Sequence, residues 1–286
     1  MTVTAQMVKE LRDKTGAGMM DAKKALVEAD GDMEKASEIL RQKGIASADK
    51  KMGRIAAEGR VESFVDANGG AMIEVNCETD FVAKNDEFKA LASGLAQNVE
   101  EQKPADVDAL LGMTCKQCGK VIADALKEKI ASIGEKITVR RFVRYEGNVA
   151  TYIHNGKIGV LLHTDVKNEE LANDLCLHIA SCAPQFVSRD QIPQSVIDEE
   201  TRIEMGKEDL LKKPEAIRGK IVDGRINKLM AERCLLDQGF VKDPNQTVAQ
   251  LIEGKMKVLA FTRYELGEGL EKRQDNFAEE VMSQLG

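Results

Sequence analysis

A chain of 286 residues has the length for about two domains, each with a hydrophobic core. With 43% apolar and 31% charged residues and only 5 Pro it reads as ordered, soluble and helix-rich; 8 Phe, 3 Tyr and no Trp leave its cores to Leu, Ile, Val, Met and Ala. The formal charge of -7 argues against a general nucleic-acid binder, which needs clustered Lys and Arg to release counterions, and no apolar run approaches the ~20 residues of a membrane span.

The start, MTVTAQMVKELRDKTG, has neither a signal-peptide apolar core nor an Arg/Ser-rich transit character, so a cytosolic location is expected. Residues 4–43 carry three short helical patterns. TGAGMM breaks the first. The second, MDAKKALVEA, sets Met19, Ala22 and Leu26 along one inward stripe. Asp30-Gly31-Asp32 ends it and caps the third, MEKASEILRQKG, with Met33, Ala36 and Leu40 inward and Gly44 as the stop. The charged IASADKKMGRIAAEG that follows suits a linker or an exposed helix.

Two later segments resemble each other. GRVESFVDANGGAMIEVNCETDFVAKNDEF begins at Gly59, and GNVATYIHNGKIGVLLHTDVKNEEL at Gly147. Each has Gly-x-Val, an aromatic–aliphatic pair, a glycine turn, an alternating strand, then Thr-Asp and an amphipathic helix. Each copy closes on a matching strand, TVRRFVRYEG or VLAFTRYELG. An internal duplication of hairpin, helices and closing strand is expected. The second copy holds an excess: IPQSVIDEETRIEMGKEDLLKK and PEAIRGKIVDGRINKLMAERCLL read as two amphipathic helices that break at Lys213-Pro214 and form an inserted antiparallel hairpin. Its charge reads chiefly as a solvated face.

Six cysteines are too scattered for a disulfide framework. Cys115 and Cys118 form one CxxC without the second pair that a structural zinc site requires, and read as two reduced thiols near a helix start. Cys176, His178 and Cys182 have the spacing of core packing. No metal site is expected. There is no GxxxxGK[ST], NGG and GEG are turn glycines, and the three histidines are scattered, so no catalytic chemistry is expected either. Phe81 and Val82, in NCETDFVAKNDEF, pose a sharper question, since they follow a buried-looking strand among polar residues. By default an aromatic there packs under its own subdomain; the alternative is that it is held out for a partner.

LRDKTGAGMMDAKKAL (Leu11 to Leu26) and EVNCETDFVAK (Glu74 to Lys84) resemble the two signature motifs of the elongation factor Ts family, the exchange factors of the GTPase elongation factor Tu. The likeness continues through KKMGRIAAEGRV, the IGEK of 133–136, YIHNGKIGVLL, CLHIASCAPQFV, LLDQGFVKDP and TRYELGEGLEK, almost the whole chain. Gly239, where proline is expected, and the CxxC depart from it.

The resemblance implies an α+β protein with five parts. These are a ubiquitin-associated-like three-helix module and linker (1–54), a core N-subdomain (55–146), a core C-subdomain (147–190 and 239–266), a coiled-coil hairpin (191–238) and a C-terminal helical module (267–286), with a mobile arm from Glu271. It implies exchange without a cofactor of its own, acting on the Mg²⁺ and GDP of elongation factor Tu, with no direct nucleic-acid or membrane partner. A homodimer or a 2:2 complex through the core or the hairpin is compatible with it. It assigns a wedge to Asp80 and Phe81, with Thr79 setting the turn and Val82 anchored inward. Arg12, Met19, Met20, Ile133, Gly134, His154, Phe240 and Val241 become further partner contacts. The competing classes are a non-exchanging adaptor that dimerises through the hairpin and, third, a redox enzyme using Cys115 and Cys118.

Overall fold

A computed structural model describes residues 3–271, and these are of the α+β class. The chain divides into two units: residues up to Phe64, Ala71–Val143 and the chain from Tyr264 in one, Val65–Gly70 and Arg144–Arg263 in the other. None of the described helices is long and apolar enough to cross a membrane.

The first unit opens with α1 (Ala5–Thr15), α2 (Met19–Glu28) and α3 (Met33–Lys51). Thr4 caps α1 by accepting from the Met7 N–H; Gly16, in the left-handed region at φ 69°, ends it. Asp32 caps α3 through the Glu34 and Lys35 N–H groups. Val8, Leu11, Ala22, Ala25, Leu26, Ala29 and Ala36 form the small core. Two expectations fail here. Met19 opens α2 one turn before the packed row begins at Ala22, and it is exposed. Gly44 does not stop α3, which continues to Lys51. The glycine serves packing instead: a Cβ there would come within 2.9 Å of the Ala131 Cβ, so its absence lets α3 lie close to a later helix.

Strands β1 (Glu58–Val65) and β2 (Gly69–Cys77) form a hairpin, followed by helices α4 (Asp80–Lys84), α5 (Asp86–Gln102), α6 (Val107–Gly112) and α7 (Ile122–Ile133). Then β3 (Thr138–Glu146) joins the far side of β2, giving the order β1-β2-β3. The central strand is buried at every position. Ile73, Val75 and Cys77 pack with Phe88, Leu95, Val99, Leu110, Leu126 and Ile130. Glu74 is buried as well. Its carboxylate accepts from Arg140, Arg141 and the Gly267 N–H. Burial alone would raise its pKa, but these donors outweigh that and hold it below the usual carboxylate range.

In the second unit β4 (Asn148–His154) and β5 (Ile158–Thr164) pair antiparallel, with Tyr152 opposite Val160. Asn155 (φ 53°) and Gly156 (φ 71°) both take the left-handed conformation in the three-residue connection between His154 and Ile158, where the Lys157 N–H donates to the His154 carbonyl at 2.9 Å. Helix α8 (Glu169–Cys182) covers the hairpin, burying Leu171, Leu175, Cys176 and Ile179. Cys182, expected in the core, is exposed at the end of the helix. The inserted segment holds α9 (Gln194–Met205), α10 (Glu208–Leu211) and α11 (Glu215–Arg233). It has its own core of Ile192, Leu210, Val222, Ile226 and Met230. The expected first helix is in fact broken at Gly206-Lys207, so the hairpin contains a third, one-turn helix. Arg225 pairs with both Glu204 and Asp209, tying α9, α10 and α11 together. A short pair, β6 (Gly239–Phe240) and β7 (Asp243–Thr247), leads into α12 (Val248–Ile252) and then β8 (Val258–Glu265), which completes the order β4-β5-β8. Both three-stranded sheets thus follow one plan, in which a hairpin's second strand receives the closing strand. Of the C-terminal module expected from residue 267, and the arm from Glu271, all beyond residue 271 lies outside the described residues.

Candidate partner-binding loop

Strand β2 ends at Cys77, and Thr79, in an extended conformation, accepts from the Val82 N–H to start α4. A five-residue helix is marginal by itself. Here it is held from both sides. Val82 packs against the core and Ala83 is buried, while Lys84 reaches back to Asp80 at 2.6 Å. Successive helical residues step about 100° around the axis, so with Val82 and Ala83 facing in, Phe81 faces out. It is 82% exposed, the most exposed large apolar side chain among the described residues. Leaving that ring in water forgoes about 1.5–3 kcal/mol of burial free energy. The default that an aromatic tucks under its own fold does not hold at this position.

The turn is clamped by residues far away in sequence. Glu135 accepts from the Glu78 N–H (3.1 Å), the Thr79 N–H (3.0 Å) and the Thr79 hydroxyl (2.6 Å). Glu78 in return accepts from the Lys136 N–H at 2.7 Å and pairs with Arg54. Each carboxylate therefore satisfies the backbone of the other's turn. Ile133 packs on the core, and Gly134, at φ 88°, ends α7 and is exposed. A left-handed residue there turns the chain off the helix axis just before Glu135. Sequence reasoning singled out Ile133 and Gly134 but gave Glu135 no role; its only signal was its place in IGEK.

Arg12, Met19 and Met20 are exposed on the α1–α2 helices, the methionines at 61% and 64%. The turn between these helices abuts α7, since a Cβ on Gly16 would meet the Ser132 Cβ at 3.3 Å. Contacts thus run from the α1–α2 turn to the end of α7, and from Glu135 to the Phe81 turn.

In the second unit His154 is exposed on the β4–β5 turn, hydrogen-bonded to the Tyr152 hydroxyl at 2.9 Å. Phe240, expected as a partner contact, is instead core: it is 5% exposed and lies with its ring centroid 5.9 Å from that of His178. Val241 beside it is exposed, and its N–H donates to His178 Nδ1 at 3.1 Å. That bond makes Nδ1 an acceptor, so Nε2 carries the proton and donates to Gln238 Oε1 at 2.8 Å. Burial lowers the pKa of His178, against the Gln238 hydrogen bond, which raises it; the net direction is down. At Gly239, where proline was expected, a Cβ would come within 3.1 Å of the Pro244 carbonyl oxygen. Among the described residues no group of three or more His, Cys, Asp or Glu is placed to hold a metal ion.

The sequence profile described as "Elongation factor TS" matches residues 78–268. The chain is 50% identical over 290 residues to "Elongation factor Ts" of Alkalilimnicola ehrlichii, covering 99% of each chain. It is 49% identical over 291 residues to the protein of that name from Thioalkalivibrio sulfidiphilus, again covering 99% of each. With the one from Leuconostoc mesenteroides it shares 49% over 292 residues and the full length of both.

Proposed function

The chain belongs to the elongation factor Ts family and has a role in translation elongation; we propose that it is the guanine-nucleotide exchange factor of the GTPase elongation factor Tu. It binds the GDP-loaded GTPase in the cytoplasm, promotes release of GDP and leaves the nucleotide site free for GTP. It transforms no substrate itself.

The reading rests on one observation above the others, the exposure of Phe81 on a turn that the fold holds rigid from both sides. Exchange is a coupling between two binding events. A factor that prefers the nucleotide-free GTPase must weaken GDP binding by the same ratio. Accelerating release by ~10⁴ takes about 5.5 kcal/mol of such preference. Phe81 is suited to supply part of it, because its burial free energy is unspent until a partner receives the ring. Asp80 and Phe81 act as the wedge, which enters the GTPase domain and disturbs the backbone that holds Mg²⁺ and the phosphates. Thr79, through Glu135, sets its angle, and Val82 anchors it. Arg12, Met19, Met20, Ile133 and Gly134 add contacts from the first unit, and His154 and Val241 from the second. Phe240 acts only by supporting Val241.

Stopped-flow release of fluorescent GDP from purified elongation factor Tu tests this. With the Phe81→Ala variant, release slows at least about tenfold, equivalent to roughly 1.4 kcal/mol or more. Unchanged release would remove the wedge, and absence of any acceleration by the parent chain would remove the function.

A further inference from the structure

Cys115 and Cys118 occupy a tight turn between α6 and α7. Thr114 and Val121 bridge its base; the Cys115 N–H donates to the Lys120 carbonyl at 2.7 Å, and the Gly119 N–H to the Cys115 carbonyl at 2.8 Å. Beneath it lies Asn98 of α5, a polar side chain only 1% exposed. Its Oδ1 accepts from the Lys116 N–H (3.1 Å), and its Nδ2 donates to Gln117 Oε1 (2.6 Å) and lies 4.0 Å from the Cys115 sulfur. The Cys115 thiol itself donates to Gln117 Oε1 at 3.3 Å, and the Cys118 thiol donates to the Cys115 sulfur from three residues on in the same turn. A half-buried sulfur thus sits over a buried amide in a tight turn that brings a second thiol against it.

The remaining cysteines provide the contrast. Cys77 and Cys176 are buried, which pushes their thiols up to about 12, and Cys182 and Cys234 are also raised chiefly by burial. Burial would raise Cys115 too, but the donors around it outweigh that and the net direction is down. Cys118, exposed, is raised by burial of its sulfur and by donating to Cys115. A thiolate is the reactive form of cysteine, and one stabilised by donors forms at lower pH.

We propose that Cys115 and Cys118 are a redox-active dithiol that hydrogen peroxide closes to an intramolecular disulfide. The Cys115 thiolate attacks one peroxide oxygen; the O–O bond breaks, the departing oxygen leaves as water after protonation, and Cys115 becomes a sulfenic acid. The Cys118 sulfur then attacks the Cys115 sulfur and gives up its proton, and the S–O bond breaks with release of a second water. The peroxide has taken two electrons, and the two thiols have become one disulfide. Thiol exchange with glutathione reverses it, two glutathione thiols giving glutathione disulfide as both cysteines are reduced. No third metal ligand stands beside the pair among the described residues, which favours thiol chemistry over metal binding.

The chemistry is read on the purified full-length chain without the GTPase. After one equivalent of hydrogen peroxide and a maleimide quench, peptide mapping by mass spectrometry should find a Cys115–Cys118 bond that glutathione reverses. It should form at least about tenfold faster than exposed Cys182 in the same molecule is oxidised, the thiolate fraction setting the difference. In Cys118→Ser the second step is blocked, and dimedone should trap a sulfenic acid at Cys115. Oxidation of Cys182 at an equal rate, or disulfides formed only between molecules, would overturn the proposal. The parent chain decides this even if the variant folds poorly.

Discussion

Two phenylalanines, each followed by valine, meet opposite fates in this protein. In Asp80-Phe81-Val82 the ring is in water and the valine packs inward; in Gly239-Phe240-Val241 the ring is core and the valine is exposed. Composition does not separate them, and local geometry does. The first pair begins a helical turn in which Val82 and Ala83 take the inward arc, leaving Phe81 outside. The second ends a two-residue strand, where neighbours alternate, and His178 both packs on the ring of Phe240 and accepts the Val241 N–H. An exposed aromatic marks function only when the backbone beneath it is fixed by other means. At Phe81 those means are Thr79, Glu135 and Val82.

The sharpest way to break this contrast is to truncate both rings. Phe240→Ala should cost about 3–5 kcal/mol of stability, as for other fully packed aromatics, measured by denaturant unfolding with the unfolding slope held constant. Phe81→Ala should change stability by no more than about 0.5 kcal/mol while slowing GDP release. If Phe81→Ala destabilised the chain as much as Phe240→Ala, the ring would have a packing role that its exposure denies.

A smaller effect is expected from the clamp. Glu135→Ala removes the acceptor for two backbone N–H groups and a hydroxyl, and should cost about 1–3 kcal/mol. Amide hydrogen exchange should speed up first at Glu78 and Thr79, and exchange activity should fall part of the way toward that of Phe81→Ala. Activity as high as the parent's would mean that the turn holds its angle without Glu135.

The smallest effect concerns pH. His178 is neutral in the fold, with a pKa below its ordinary value of 6.5. A group depressed on folding contributes stability that is complete above the unfolded value and is lost as pH falls through the folded one. Thermal stability should therefore drop as pH falls below about 6.5, by an amount that His178→Gln abolishes. An identical pH profile in the variant would show that the Val241 N–H does not depend on the neutral ring.

How much of this was legible in advance varied with the distance over which each feature is decided. The α+β class and the family could be read from local patterns and two long motifs. Met19 and Gly44 could not. A three-residue spacing names a stripe but not where its partner ends, and a glycine that ends a helix looks the same in sequence as one that admits a neighbouring helix. The break at Gly206 is local, yet the charge pattern runs across it without interruption. Glu135 was missed because its partners lie more than fifty positions earlier.

By itself, then, the sequence determined the class of fold, the lineage and many of the residues that form turns, since periodicity, capping and motif are properties of neighbouring residues. Only the tertiary structure decided which side chain of each turn faces water. That choice depends on what lies beneath: a core that takes Val82 and Phe240, a carboxylate that fixes Thr79, a buried amide under Cys115. These partners come from distant parts of the chain and meet only after folding.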